Sequence, residues 1–124
     1  MTIKITKIKP AFVDERGEIT NILEVPIKHV AIITTKAGSI RGNHYHPKQI
    51  QHDYLVSGKY EYITKDLETG KVSSRMIEPM DFVITPPNTA HAMKFLEDSV
   101  FLTLTTGTRE SERFKEHTVK FNLV

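Results

Sequence analysis

Short runs of β-branched and aromatic residues recur along the whole chain. EITNILEV (18–25), HVAIITT (29–35), HDYLV (52–56), KYEYITKDL (59–67), KVSSRMIE (71–78), DFVIT (81–85), VFLTLTT (100–106) and HTVKFNLV (117–124) each predict a strand. Turn signals separate them: Arg16-Gly17, Lys36-Ala37-Gly38, Ser57-Gly58, Glu68-Thr69-Gly70, Pro86-Pro87-Asn88 and Thr106-Gly107. Strands this short and this closely spaced predict an all-β antiparallel sandwich or barrel. RESERFKEH (109–117) is the one stretch with any helical character. It is short and heavily charged, so it reads as a solvated loop or an edge strand. No linker, repeat or low-complexity tract interrupts the pattern, and residues 1–124 are expected to form a single domain.

Composition narrows the function classes more than it names one. Of the 124 residues, 39% are hydrophobic and 26% charged, the balance of an ordinary soluble globular protein. The formal charge is +2 and the Lys and Arg residues are dispersed, so no nucleic-acid footprint is expected. No apolar run approaches the roughly 20 residues needed to cross a bilayer. The opening MTIKITKIKP alternates apolar and basic residues and lacks the apolar core of a signal peptide, so a cytoplasmic location is expected. There is no cysteine, which excludes disulfides, thiolate catalysis and zinc-finger sites.

Candidate chemistry lies in the histidines. His44 and His46 are two positions apart in a segment that reads as extended, so both imidazoles project from one face, about 6–7 Å apart along the backbone. One ion or one small substrate could touch both; a pair of solvated surface histidines would look the same in sequence. His91 follows the Pro86-Pro87-Asn88 turn at the start of another strand, and the prolines fix how the chain enters it. Alone it would read as a histidine on a half-buried strand. Two histidine elements in one small β protein favour a site.

These segments resemble a known family. From Gly38 to Gly58 the chain is similar to the first cupin motif: a glycine, five residues, H-x-H, a polar ligand position and a closing glycine. PPNTAH (86–91) resembles the second motif, with Asn88 in place of its glycine, and asparagine tolerates the left-handed turn that glycine supplies there. Gln51 stands where most metal-binding cupins carry glutamate. FVDERGEI (12–19), RGNHYH (41–46), TPPNTAHAMKFLED (85–98) and VFLTLTT together resemble the sugar-nucleotide branch, which contains the dTDP-4-keto-6-deoxyhexose 3,4-ketoisomerases and the dTDP-4-dehydrorhamnose 3,5-epimerases. The resemblance implies a double-stranded β-helix, the jelly-roll barrel of the cupins. It also implies pairing through an N-terminal edge strand, for which the alternating TIKITKIK (2–9) is suited, so a homodimer is expected.

What the resemblance implies chemically is proton transfer beside a sugar carbonyl, with no cofactor required. A base must remove an acidic C–H and an acid or dipole must meet the enolate oxygen; histidine serves both. His44 and His46 are the expected catalytic pair. Arg41 resembles the arginine placed against the nucleotide diphosphate, a fork that fits phosphate oxygens, and Arg16 of the D-E-R-G stretch is a second candidate. Gln51 is a candidate substrate contact, and Tyr60 and Tyr62, on one strand face, could stack a nucleobase. Tyr45 is expected to pack on the opposite face from the histidines, and His52 to point away from Gln51. No tyrosine follows Tyr62, which favours isomerase-like chemistry over a 3,5-epimerase with a late acidic tyrosine. Two other readings stay open. One is a mononuclear metal cupin with His44, His46, His91 and Gln51 around Zn, Fe, Ni or Mn, acting as oxygenase, lyase or isomerase. The other is a non-catalytic small-molecule-binding cupin.

Overall fold

A computed structural model describes residues 3–106 and 118–124 of the chain. The expected loop or edge strand at 109–117 lies outside the described residues. Among the described residues twelve strands run in chain order: β1 (Lys4–Lys7), β2 (Phe12–Asp14), β3 (Gly17–Ile19), β4 (His29–Thr35), β5 (Ile40–Tyr45) and β6 (Gln51–Ser57), then β7 (Tyr60–Asp66), β8 (Val72–Ile77), β9 (Asp81–Thr85), β10 (Thr89–Phe95), β11 (Ser99–Thr105) and β12 (Val119–Lys120). They form two five-stranded antiparallel sheets, in the orders β1-β9-β6-β11-β4 and β12-β5-β10-β7-β8, and a separate β2-β3 hairpin. Among the described residues no helix is long and apolar enough to cross a membrane.

The alternation of side chains builds the core between the two sheets. Leu55, Val83 and Phe101 from one sheet meet Tyr60, Tyr62, Ile77, Met93 and Phe95 from the other, with Ile3, Ile5 and Ile33 packed around them. Phe95 and Phe101 stack across the gap with centroids 5.8 Å apart, and Tyr60 adds a tilted contact to each. Each large side chain buried in this way contributes about 1.5–3 kcal/mol. The same alternation sends His52 and Tyr54 to the other face of β6. There His52 donates from Nδ1 to the Leu104 carbonyl at 3.1 Å and stacks on Phe82, as expected for a residue pointing away from the site.

Two expected strands are mostly absent. The 18–25 run pairs only as far as Ile19, because β3 has β2 as its single partner and that hairpin ends there. The C-terminal run forms a ladder with β5 only at Val119 and Lys120. Beyond it, one side chain does the work of a strand: Asn43 Oδ1 accepts from the amides of Leu123 and Val124, and Asn43 Nδ2 donates to the Val124 carbonyl.

Candidate active site

β5 carries a bulge that decides which of its residues face inward. In the β5–β10 ladder Arg41 pairs with Met93 and Gly42 with Ala92, but the next partner of β10, His91, pairs with His44. Asn43 is the extra residue, held in the left-handed region at φ 56, and Gly42 beside it has φ 90. Strict alternation would put Arg41 and His44 on opposite faces; the inserted residue brings them to one. The ladder is so tight at Gly42 that a Cβ there would stand 2.7 Å from the His91 carbonyl oxygen. Asn88 supplies the expected left-handed turn before β10, at φ 59.

The three histidines of the two motifs converge. His44 lies 4.8 Å from His46 and 4.6 Å from His91 between ring centroids, and His46 and His91 are 5.5 Å apart. The cavity beside them, about 230 Å³, has a polar side of Arg41, His44, His91, Gln51 and Thr103 and an apolar side of Ile33, Met93 and Phe101. Arg41 is anchored at this cavity by its Nε, which donates to Thr35 Oγ1 at 2.6 Å, and by Nη2 to the Thr34 carbonyl at 3.1 Å.

Hydrogen bonds give each imidazole a different character. His91, 1% exposed, directs Nδ1 at the Thr89 carbonyl at 3.1 Å. A carbonyl only accepts, so Nδ1 carries a proton, and in the neutral ring the lone pair is then on Nε2. His46, 2% exposed, has both nitrogens engaged: Nε2 with Gln51 Oε1 at 2.9 Å, and Nδ1 with Gln49 Nε2 at 2.8 Å and Thr118 Oγ1 at 3.2 Å. Gln51 Nε2 in turn donates to Asp53 Oδ2 at 2.8 Å. His44 is the half-buried member, nearly equidistant from the other two at the cavity wall.

The sequence-derived candidates therefore divide. His44, His91, Arg41 and Gln51 are gathered at one cavity. His46 is adjacent, in a buried polar chain, and is not among the residues that line this cavity. Arg16 is elsewhere: on the β2-β3 hairpin it holds Asp14 in a two-pronged ion pair through Nε and Nη2, and it does not line the histidine cavity. That guanidinium keeps the Asp14 carboxyl below the usual carboxylate range. Tyr60 and Tyr62 do share a face, but each is only 1% exposed in the core, so neither offers a ring face to a nucleobase. β7 lies between β10 and β8, and its inward face is the core itself. Burial foremost, and then the Asp53 carboxylate, hold both phenols well above their ordinary pKa. Tyr45 packs outward against Phe121 as expected.

Asp53, Thr103, Gln49 and Thr118 were not picked out in the sequence. Asp53 had a signal, since it is two positions from Gln51 on the same strand. Thr103 also had one, as an inward position of a strand that alternates; its buried hydroxyl has no hydrogen-bond partner among the described residues. Gln49, in the turn before β6, had none.

The nitrogens of His44, His46 and His91 lie within 4.8 Å of one another, a spacing one metal ion could bridge. The donor set fits a three-imidazole site poorly, however. A metal ligand needs a free lone pair, and the one on His46 is already taken by Gln49 and Thr118 while its other nitrogen is committed to Gln51.

No curated protein matches the chain in sequence. Among solved structures it is similar to the TDP-quinovose 3,4-ketoisomerase of Campylobacter jejuni, at TM-score 0.80 and 21% identity over 95% of this chain and 92% of that one. A 3,4-ketoisomerase of Thermoanaerobacterium thermosaccharolyticum in complex with TDP gives 0.79 and 23% over 96% and 87%. The dTDP-4-dehydrorhamnose 3,5-epimerase of Sulfolobus tokodaii gives 0.74 and 22% over 94% and 74%. These likenesses establish the fold as the cupin jelly roll. The family model described as the polysaccharide biosynthesis C-terminal domain matches residues 12–118, and the chain belongs to that family.

Proposed function

We propose that the protein is an isomerase or epimerase acting on a nucleotide-linked 4-keto sugar by histidine proton transfer. The observation that carries this reading is the placement of His44 and His91 across one ladder, with Arg41 brought to the same cavity by the Asn43 bulge. His44 removes the proton beside the carbonyl. His91, with Nδ1 as donor to a carbonyl and Nε2 as acceptor, is the second proton-transfer group, in the place first expected for His46. Arg41 takes a diphosphate oxygen, and Gln51 and Thr103 meet the sugar. The structures to which the chain is similar include a TDP-quinovose 3,4-ketoisomerase, a 3,4-ketoisomerase in complex with TDP and a dTDP-4-dehydrorhamnose 3,5-epimerase, which supports the substrate class. No cofactor is needed for such a shift, because only protons are redistributed: one leaves the carbon beside the carbonyl and one is returned to carbon through imidazole, and in a ketoisomerase the neighbouring hydroxyl proton passes to the old carbonyl oxygen.

The test is incubation of the purified protein with TDP-4-keto-6-deoxyglucose, followed by proton NMR. A new keto-sugar isomer supports the reading; the absence of both conversion and any thermal shift with TDP contradicts it. A metal-dependent reading is favoured only by the spacing of the three imidazoles. Elemental analysis showing about one first-row ion per chain would favour it instead.

We further propose a cytoplasmic homodimer. Support comes from large apolar side chains left at the surface, Phe12 and Ile19 on the hairpin and Val30 and Ile32 on β4, where a second copy would cover them. Light scattering at the monomer mass would contradict this.

A further inference from the structure

We propose that Asp53 is a positioning residue that, through Gln51, fixes which nitrogen of His46 carries the proton. Asp53 is 1% exposed and stands inside the barrel on the same face of β6 as Gln51. Gln51 turns its amide NH₂ to Asp53, donating from Nε2 to Oδ2 at 2.8 Å, where the carboxyl oxygen accepts. That orientation turns Gln51 Oε1 toward His46. An amide oxygen also only accepts, so His46 Nε2 must bear the hydrogen. His46 Nδ1 then has the lone pair, and the groups that meet it, the Gln49 amide and the Thr118 hydroxyl, are both able to donate. Every joint of the chain from Gln49 to Asp53 agrees with one proton arrangement, and reversing any one joint would set two donors or two acceptors face to face. Such a mismatch in a buried site costs about 1–3 kcal/mol.

The arrangement has a consequence at the cavity. His46 lies 4.8 Å from His44, close enough to compete for the proton His44 takes from a substrate. Protonating His46 would break the bond it receives from Gln49 at Nδ1, which favours the proton staying with His44 or passing to the substrate and His91. This consequence rests on the function proposed above; the proton arrangement itself does not.

The test uses the full-length chain labelled with ¹⁵N-histidine and two-bond ¹H–¹⁵N correlation without substrate. Wild type is expected to show His46 protonated at Nε2 only. Asp53→Asn, whose amide can face Gln51 either way, is expected to lose that single form and give a mixture. Gln49→Leu removes the partner on the other nitrogen and is expected to leave Nε2 protonated. A wild-type His46 protonated at Nδ1, or at both nitrogens, would overturn the proposal without any variant having to fold. A tautomer switch in Gln49→Leu would overturn it too, by moving the control to Gln49. If the keto-sugar reaction is found, Asp53→Asn should lower kcat about tenfold or more with little change in KM. If no such reaction is found, the spectra still judge the role of Asp53.

Discussion

His44 faces His91 directly across the β5–β10 ladder, with ring centroids 4.6 Å apart in an edge-on arrangement. Their pairing depends on the extra residue at Asn43, because without it Arg41 and His44 would lie on opposite sides of the sheet. Backbone geometry at residues 42 and 43 thus has a direct bearing on the chemistry of the cavity.

Gly42→Ala tests that dependence. The new methyl would meet the His91 carbonyl oxygen at 2.7 Å, from a backbone with φ 90. The expected result is a loss of about 1–3 kcal/mol in denaturant unfolding, together with loss of activity. Asn43→Gly keeps the left-handed backbone and removes the C-terminal clamp. It should therefore expose the amides of residues 123 and 124 to hydrogen exchange while leaving the β5–β10 ladder protected.

The jelly roll and most of its strands were legible in the sequence, since β4 and β9 have the bounds that their β-branched runs predicted. So was the gathering of three histidines, because motif spacing fixes which strands carry them. The different surroundings of the three histidines were not legible. His46 is bonded to Gln49, Gln51 and Thr118, partners that come from a turn, a strand and the C-terminal segment. No periodicity in one strand encodes contacts 72 residues away. The burial of Tyr60 and Tyr62 has a related cause: a shared strand face reveals common orientation, but only the second sheet, with Leu55, Val83 and Phe101 over it, makes that face the core.

Thr103→Val separates a binding role from a structural one. The buried hydroxyl has no hydrogen-bond partner among the described residues, so removing it should leave Tm unchanged or raise it slightly. If the hydroxyl meets substrate, kcat/KM should fall about five- to tenfold, as measured in the keto-sugar assay.

Arg41→Lys preserves the charge but not the fork. Lysine cannot reproduce the Nε and Nη2 bonds to Thr35 and Thr34 that aim the guanidinium. KM for a TDP-sugar should rise about tenfold or more, with a smaller change in kcat, in steady-state kinetics.

Alkaline titration followed by ultraviolet absorbance should report the buried phenols. Tyr60 and Tyr62 are held neutral in the fold by burial and by Asp53, whereas in the unfolded chain they ionise near pH 10. Because their folded pKa values are raised, the stability they contribute is complete below about pH 10 and declines as pH rises beyond it, by up to about 1.4 kcal/mol per pH unit for each phenol. Of the four tyrosines, these two should titrate only together with unfolding.

The most direct measurement is deuterium exchange into the sugar, by NMR in D₂O, with wild type, His44→Gln and His91→Gln compared on TDP-4-keto-6-deoxyglucose. Wild type should place deuterium on a carbon beside the carbonyl. His44→Gln should abolish that exchange, by about 10²–10⁴-fold in rate. His91→Gln should retain exchange at the first carbon while losing formation of the rearranged sugar. Full exchange and turnover in His44→Gln would contradict the account, because the proton would then leave the sugar without the imidazole that faces His91.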